Sequence, residues 1–250
     1  MHFTTKEKRM LIWSVMLGVI LAFPQSASAM HVMEGYLPLV HCIIWYVISL
    51  PFFALGIINI RRTINANRRV LILLAMSGAF VFVISSLKIP SVTGSCSHMT
   101  GTGLAAILFG PTITSVLGVI VLLFQAILLA HGGLTTLGAN TFSMAIIGPI
   151  LTWILYRAGK KMKINRKVNI FAAASLGNLL TYCVTAVQLA VAYPSEVGGI
   201  GESLMLFLGV FAPTQLPLAV VEGLLTVLIV IGMESFAAPE LREIAFLEAN

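Results

Sequence analysis

Apolar residues run through this chain in long blocks, separated by short polar stretches. A helix of about 20 apolar residues spans the ~30 Å hydrocarbon core of a bilayer, so the blocks predict membrane-crossing helices. The first block, residues 10–23, is too short for an ordinary span. Lys6, Lys8 and Arg9 precede it, Pro24 stops it, and Ala27-Ser28-Ala29 follows. That order reads as a cleavable signal peptide over residues 1–29, cut after Ala29. Residues 41–60 and 70–87 make the next two spans, with Arg61, Arg62, Arg68 and Arg69 between them. Residues 88–100 are polar and rich in turn formers, and read as a loop.

The block over residues 101–130 is broken by Gly110-Pro111. Proline opens a helix readily but does not continue one without a break, so the block divides into 101–110 and 112–130. Residues 140–156, 168–192 and 203–232 complete the set, the last carrying Pro213 and Pro217, where a bend is expected. The expected fold is an all-α polytopic membrane protein with about seven transmembrane helices after signal removal.

Composition agrees with that class. Of 250 residues, 58% are hydrophobic and 10% charged, with a mean hydropathy of +1.00, against roughly 25% charged in soluble domains. The net charge of +6 does not indicate nucleic acid. The basic residues gather in two short loops, at 61–69 and at 157–167 (Arg157, Lys160, Lys161, Lys163, Arg166, Lys167). By the positive-inside rule both loops are cytoplasmic. The mature N-terminus is then outside and the C-terminus cytoplasmic. An odd crossing number between the loop at 88–100 and the one at 157–167 requires the split at Gly110-Pro111. The expected location is a bacterial inner (cell) membrane, with lipid around a multi-pass chain. No internal repeat supports an inverted-repeat transporter. The three cysteines have neither metal-finger nor redox spacing.

This topology uses no histidine, yet it places His31, His41, His98 and His131 on the outer side; only His2, in the leader, is elsewhere. Histidine is the commonest protein metal ligand. A cut after Ala29 makes Met30 the first residue and His31 the second. The Met30 amine, the His31 backbone nitrogen and His31 Nδ1 then close a five- and a six-membered chelate ring on one ion. Three nitrogens lie nearly in one plane and leave a fourth place. Such a site suits Ni(II) or Cu(II) and also holds Co(II), while zinc prefers a tetrahedron. His98, in the pliant Thr93-Gly94-Ser95-Cys96-Ser97-His98 stretch, is the choice for the fourth nitrogen. His131 reads as a group that orients a ligand, with the role of ligand itself as the alternative. His41, beside Trp45 and Tyr46, reads as an interfacial residue, and Cys96 as a weaker, softer candidate. Residues 30–250 are therefore expected to form one membrane-embedded metal-capture domain.

Glu222 and Gln215 lie in the last apolar block, and Gln125, Asn178 and Gln188 in others. Glu222 falls toward the inner half of its span, far from the outer histidines, and reads as a structural hydrogen-bonding group. Gln125, nearer the outer side, reads as a group that supports a ligand. Ala173/Gly177 and Ala106/Gly110 are small pairs that let helices pack closely. The chain has neither a Walker loop nor an H-E-x-x-H helix, so it is not expected to hydrolyse ATP or act as an enzyme.

Met30-His31-Val32-Met33-Glu34-Gly35-Tyr36-Leu37-Pro38 resembles the N-terminal signature of the cobalt/nickel capture subunits of energy-coupling-factor transporters. Residues 88–98, 131–140 and 215–226 are similar to the same family, and the likeness covers essentially the whole mature chain. It implies a metal site of Met30, His31 and His98 with no other cofactor. It also implies Co(II) uptake for cobalamin synthesis, with Ni(II) as the alternative ion. The implied partners are a CbiN-type small membrane protein, a CbiQ-type transmembrane coupling subunit and a CbiO-type ATPase. A stand-alone metal channel or secondary transporter is the further alternative from the residues themselves.

Overall fold

The structure, a computed structural model, describes residues 28–29, 31–90, 95–244 and 246. Residues 1–27 of the signal peptide expected over 1–29, and Met30 with the amine ligand expected of it, lie outside the described residues.

Eight helices are described: α1 (Leu39–Ala66), α2 (Val70–Ser86), α3 (Thr102–Phe109), α4 (Pro111–Leu129), α5 (Leu137–Lys161), α6 (Arg166–Ala192), α7 (Gly199–Phe236) and α8 (Ala238–Glu243). Five of them, α1, α4, α5, α6 and α7, are long and apolar enough to cross a membrane; α2 is apolar but 17 residues long. The split at Gly110-Pro111 is present. Gly110 stands at φ +82°, a conformation that favours glycine, and Pro111 opens α4 at a position where its missing N–H costs nothing.

The predicted span at 101–110 is not a full crossing. Its helix has eight residues, about 12 Å long at 1.5 Å per residue, and residues 102–108 are all buried. The rest of that leg is extended. β2 (Lys88–Pro90) and β3 (Ser95–His98) pair antiparallel within the segment read as a loop, with Lys88 opposite His98. β1 (Ser28–Ala29) pairs with β3 in parallel, Ala29 opposite Cys96. Extended backbone inside a helical bundle needs protein around it to satisfy its polar groups. Ser97, His98 and Thr100 are accordingly buried.

Both basic loops are shorter than expected. α1 runs through Arg61 and Arg62 because nothing breaks it before Asn67, which turns extended and accepts the backbone N–H of Arg69 at 2.9 Å. The second loop shrinks to residues 162–165 between α5 and α6. Ion pairs Arg166–Glu234 (2.7 Å) and Arg69–Glu243 (3.3 Å) tie α6 to α7 and the tail helix α8 to the first loop.

α5, α6 and α7 pack through glycines. A Cβ on Gly177 would collide with Thr152, one on Gly148 with Thr181, and one on Gly223 with Ser175. Ala173/Gly177 is thus a close-packing pair. Gly110 of the other pair turns the chain instead, and Gly103 makes the close approach, to Ala174. Cys42 and Cys183 are free thiols.

Candidate metal centre

The end of the bundle opposite the basic loops gathers the segment after residue 30, strand β3 and the α4–α5 connection. Val32 anchors the first. Its N–H donates to Asn140 Oδ1 at 2.8 Å, and its carbonyl accepts from Asn140 Nδ2 at 3.0 Å and Thr136 Oγ1 at 2.6 Å. Glu34, Gly35 and Tyr36 form a turn, with Gly35 at φ +71° and Tyr36 N–H donating to Met33 O at 3.1 Å. Glu34 accepts the Thr135 backbone N–H at 3.1 Å, while Gly35 N–H donates to Thr135 Oγ1 at 3.2 Å. Hydrogen bonds from Thr135, side chain first, hold the Glu34 carboxyl below its ordinary pKa. The turn therefore clamps the 131–136 connection over the site.

Inside the clamp, three imidazoles meet. His31, His98 and His131 are 3%, 0% and 1% exposed, and one nitrogen from each lies within 4.8 Å of the others. His31 stacks on His98 at 4.4 Å between centroids, and His131 stands edge-on to both, at 4.5 and 4.9 Å. Nitrogens on opposite sides of one ion, each about 2 Å from it, stand about 4 Å apart, so small ring movements would close this cluster on a metal. His31 Nδ1 is 2.8 Å from His131 Nε2, and His98 Nδ1 donates to Met99 O at 2.8 Å. A carbonyl only accepts, so the His98 proton sits on Nδ1 and its Nε2 lone pair is left bare. That Nε2 and His131 Nδ1 are buried with no hydrogen-bond partner.

Burial decides the charge of these rings. Desolvation lowers the pKa of His31 well below the ordinary histidine value, with repulsion from His98, His131 and Lys88 adding to it. Desolvation lowers His98 to about 4, the Met99 hydrogen bond working against it, and lowers His131 further still. Neutral imidazoles are the form that ligates metal.

The sequence-selected His31, His98 and His131 come together. His131 is as close to His31 as a ligand would be, although the sequence reading favoured a supporting role. His41, on α1, is outside the cluster. Gln125 does not reach the cluster by its side chain, which donates to Ser85 Oγ at 2.7 Å; its backbone carbonyl accepts from His131 N–H at 3.1 Å.

The placement of Glu222 corrects the expectation that it is remote. It is fully buried and accepts from Thr100 N–H (2.6 Å), Thr100 Oγ1 (2.7 Å), Gly101 N–H (2.9 Å) and Asn178 Nδ2. Gln215 donates to Asn178 Oδ1 and, at 3.3 Å, to His98 O. Its role is structural as expected, but what it holds is the strand end that carries His98. Sequence reasoning missed this because the contact joins residues 122 positions apart. It also missed Asn140, for which the only signal was its place at the end of the loop opened by His131.

This fold and this cluster define a multi-pass membrane protein with three buried imidazoles that could hold a metal ion. The chain belongs to the CbiM family, the cobalt uptake substrate-specific transmembrane region, which it matches over residues 31–240. It is 57% identical over 245 residues to a cobalt transport protein CbiM of Lachnoclostridium phytofermentans, covering 98% of each chain. It is 55% identical over 222 residues to one of Chlorobium limicola, covering 89% of this chain and 87% of that one. These relatives are named transport proteins, not enzymes. A crystal structure of a transition metal transporter shares the fold, with a TM-score of 0.72 at 24% identity over 82% of this chain and 92% of that one.

Proposed function

We propose that the protein is the substrate-binding membrane subunit of an ATP-driven Co(II) uptake transporter supplying cobalamin synthesis. The observation that carries this reading is the buried three-histidine cluster with its bare His98 Nε2. The names of the relatives supply cobalt as the cargo. After removal of residues 1–29, the Met30 amine, the His31 backbone nitrogen and His31 Nδ1 wrap the ion, and His98 Nε2 fills the fourth position. His131 either yields its place to the ion or joins it as a ligand. The Glu34 turn closes the site. CbiN-, CbiQ- and CbiO-type partners supply coupling and ATP hydrolysis, and the capture subunit reorients in the inner membrane to release the ion inward. The N-terminus is outside and the C-terminus cytoplasmic; with α2 and the partly extended α3 leg, the chain crosses about seven times.

Uptake of radiocobalt, with and without excess Ni(II), tests the function. The expected result is ATPase-dependent Co(II) uptake that His98→Ala reduces at least tenfold, in line with losing one ligand of a metal site. Uptake that persists without any ATPase partner would indicate a stand-alone channel or secondary transporter. Preference for nickel would make Ni(II) the cargo. Wild-type uptake by His98→Ala together with loss in His131→Ala would move the fourth position to His131.

The pH dependence separates the amine from the imidazoles. Buried imidazoles whose pKa is lowered stay neutral as pH falls, so protons do not compete for them until pH approaches about 4, as for His98. A free α-amino group has a pKa of roughly 7.7–8.0. The His31 backbone N–H and the protonated Met30 amine each give up one proton to the ion, so Co(II) affinity should fall about a hundredfold for each pH unit between pH 7 and 5.5. A fall of only about tenfold per unit in isothermal titration over that range would exclude the amine, and a flat profile would exclude the backbone nitrogen as well.

A further inference from the structure

The geometry points to Met144 as the group that decides which nitrogen of His31 carries the proton, and so which one is free for metal. This assignment rests on the proposed role of His31 Nδ1 as a ligand. The hydrogen bond between His31 Nδ1 and His131 Nε2 is undirected in itself, since either ring can donate. His131 does not settle the direction, because its other nitrogen, Nδ1, is buried with no partner.

The tie is broken on the far side of His31, where Nε2 lies 3.1 Å from Met144 Sδ. A thioether has lone pairs and no proton, so it only accepts. If His31 carried its proton on Nδ1, the bare Nε2 lone pair would face the sulfur lone pairs at that distance. With the proton on Nε2, His31 donates to Met144 and accepts from His131 on Nδ1. The proton on His131 then sits on Nε2. His31 Nδ1 therefore keeps a lone pair in the metal-free protein, at the atom that must close the six-membered chelate ring. An incoming ion has no proton to expel from the His31 imidazole; it has to take the place of the His131 N–H and to displace the proton of the His31 backbone N–H.

Met144 is held firmly enough to do this. It is 1% exposed and packed with Val81, Val121 and Ala145. It sits within α5 in a π-helical segment, Thr141–Ile147, a rare geometry that tends to mark functional positions.

Replacing Met144 with Leu conserves volume and apolarity while removing the acceptor, a swap that cores tolerate well. Met144→Gln restores an acceptor through its amide oxygen. Metal-free, processed protein carrying ¹⁵N-labelled histidine would be compared by NMR, with Co(II) affinity measured by titration on the same samples. In the wild type, His31 should show a protonated Nε2 and an unprotonated Nδ1. Met144→Leu should populate the Nδ1-protonated form and weaken Co(II) binding on the order of tenfold, the usual cost of losing a group that orients a ligand. Met144→Gln should recover both properties. An unchanged His31 spectrum in Met144→Leu would overturn the assignment, even if affinity fell, because the sulfur would then act through packing alone. If the tautomer shifts as expected but the wild type binds no cobalt, the assignment of Met144 stands and the proposed function fails.

Discussion

Protein that retains residues 1–29, or whose Met30 amine is acetylated after processing, should lose Co(II) affinity on the order of a thousandfold. The size follows from chelation. An imidazole tied through its own backbone to two further nitrogens meets the ion at a high effective concentration. Blocking the first nitrogen removes one ring of the chelate and releases the other to fluctuate. The clamp around Val32 and Glu34 does not use the amine, so the blocked protein should keep its helicity and its thermal midpoint. Equilibrium dialysis with Co(II), on samples whose first residue is fixed by N-terminal sequencing, checks this. Wild-type affinity in a blocked sample would leave the imidazoles alone to hold the metal, with His131 promoted to ligand.

The second large effect is expected at Glu222. Its removal in Glu222→Ala leaves the Thr100 N–H, the Gly101 N–H and the Asn178 amide without an acceptor inside the bundle. Each orphaned buried donor costs about 1–3 kcal/mol, a combined loss on the order of 3 kcal/mol or more. That is a large part of a typical stability of roughly 5–15 kcal/mol. The thermal midpoint in detergent should fall sharply. The protein that stays folded should bind Co(II) weakly, because the strand end bearing His98 loses its footing. Glu222→Gln keeps the shape but turns an NH2 toward other donors, so it should fall between the wild type and Ala. Unchanged stability and affinity in Glu222→Ala would mean that the network is not what positions His98.

The helical skeleton was legible because it depends on local rules. Gly110-Pro111 broke one apolar block in two, and the arginines and lysines marked the turns at one end. The limits of the helices were less legible. Arg61 and Arg62 look like a loop by charge, but charged residues at the end of a long apolar helix extend it without cost until Asn67 stops it. The α3 leg could not be read from composition, since Ser97, His98 and Thr100 are polar yet buried. What buries them is Glu222, Asn178 and Gln215, far away in sequence.

At the site, His31 and His98 were legible from chemistry, as a histidine two places after the expected cut and a histidine in a segment rich in Gly and Ser. His131 was visible, but its distance from His31 depends on how the α4–α5 connection folds back. Met144 gave no signal, because one more methionine in an apolar helix looks like ordinary core. Thr136 was equally silent, and Asn140 had only its place in the loop, since their work is to grip the peptide of Val32.

The pairing of β1 with β3 bears on the order of events in maturation. Ala29, the residue before the expected cut, lies in a sheet opposite Cys96. A protease needs its target chain accessible, and an edge strand hydrogen-bonded to its neighbour is shielded from it. Folding and cutting are therefore in competition: a chain whose outer end zips up first shelters its own cleavage point. The leader expected over residues 1–29 would then be a timer as well as an address. A cell that exports this protein faster than it trims it would accumulate finished bundles that are shut to their ion.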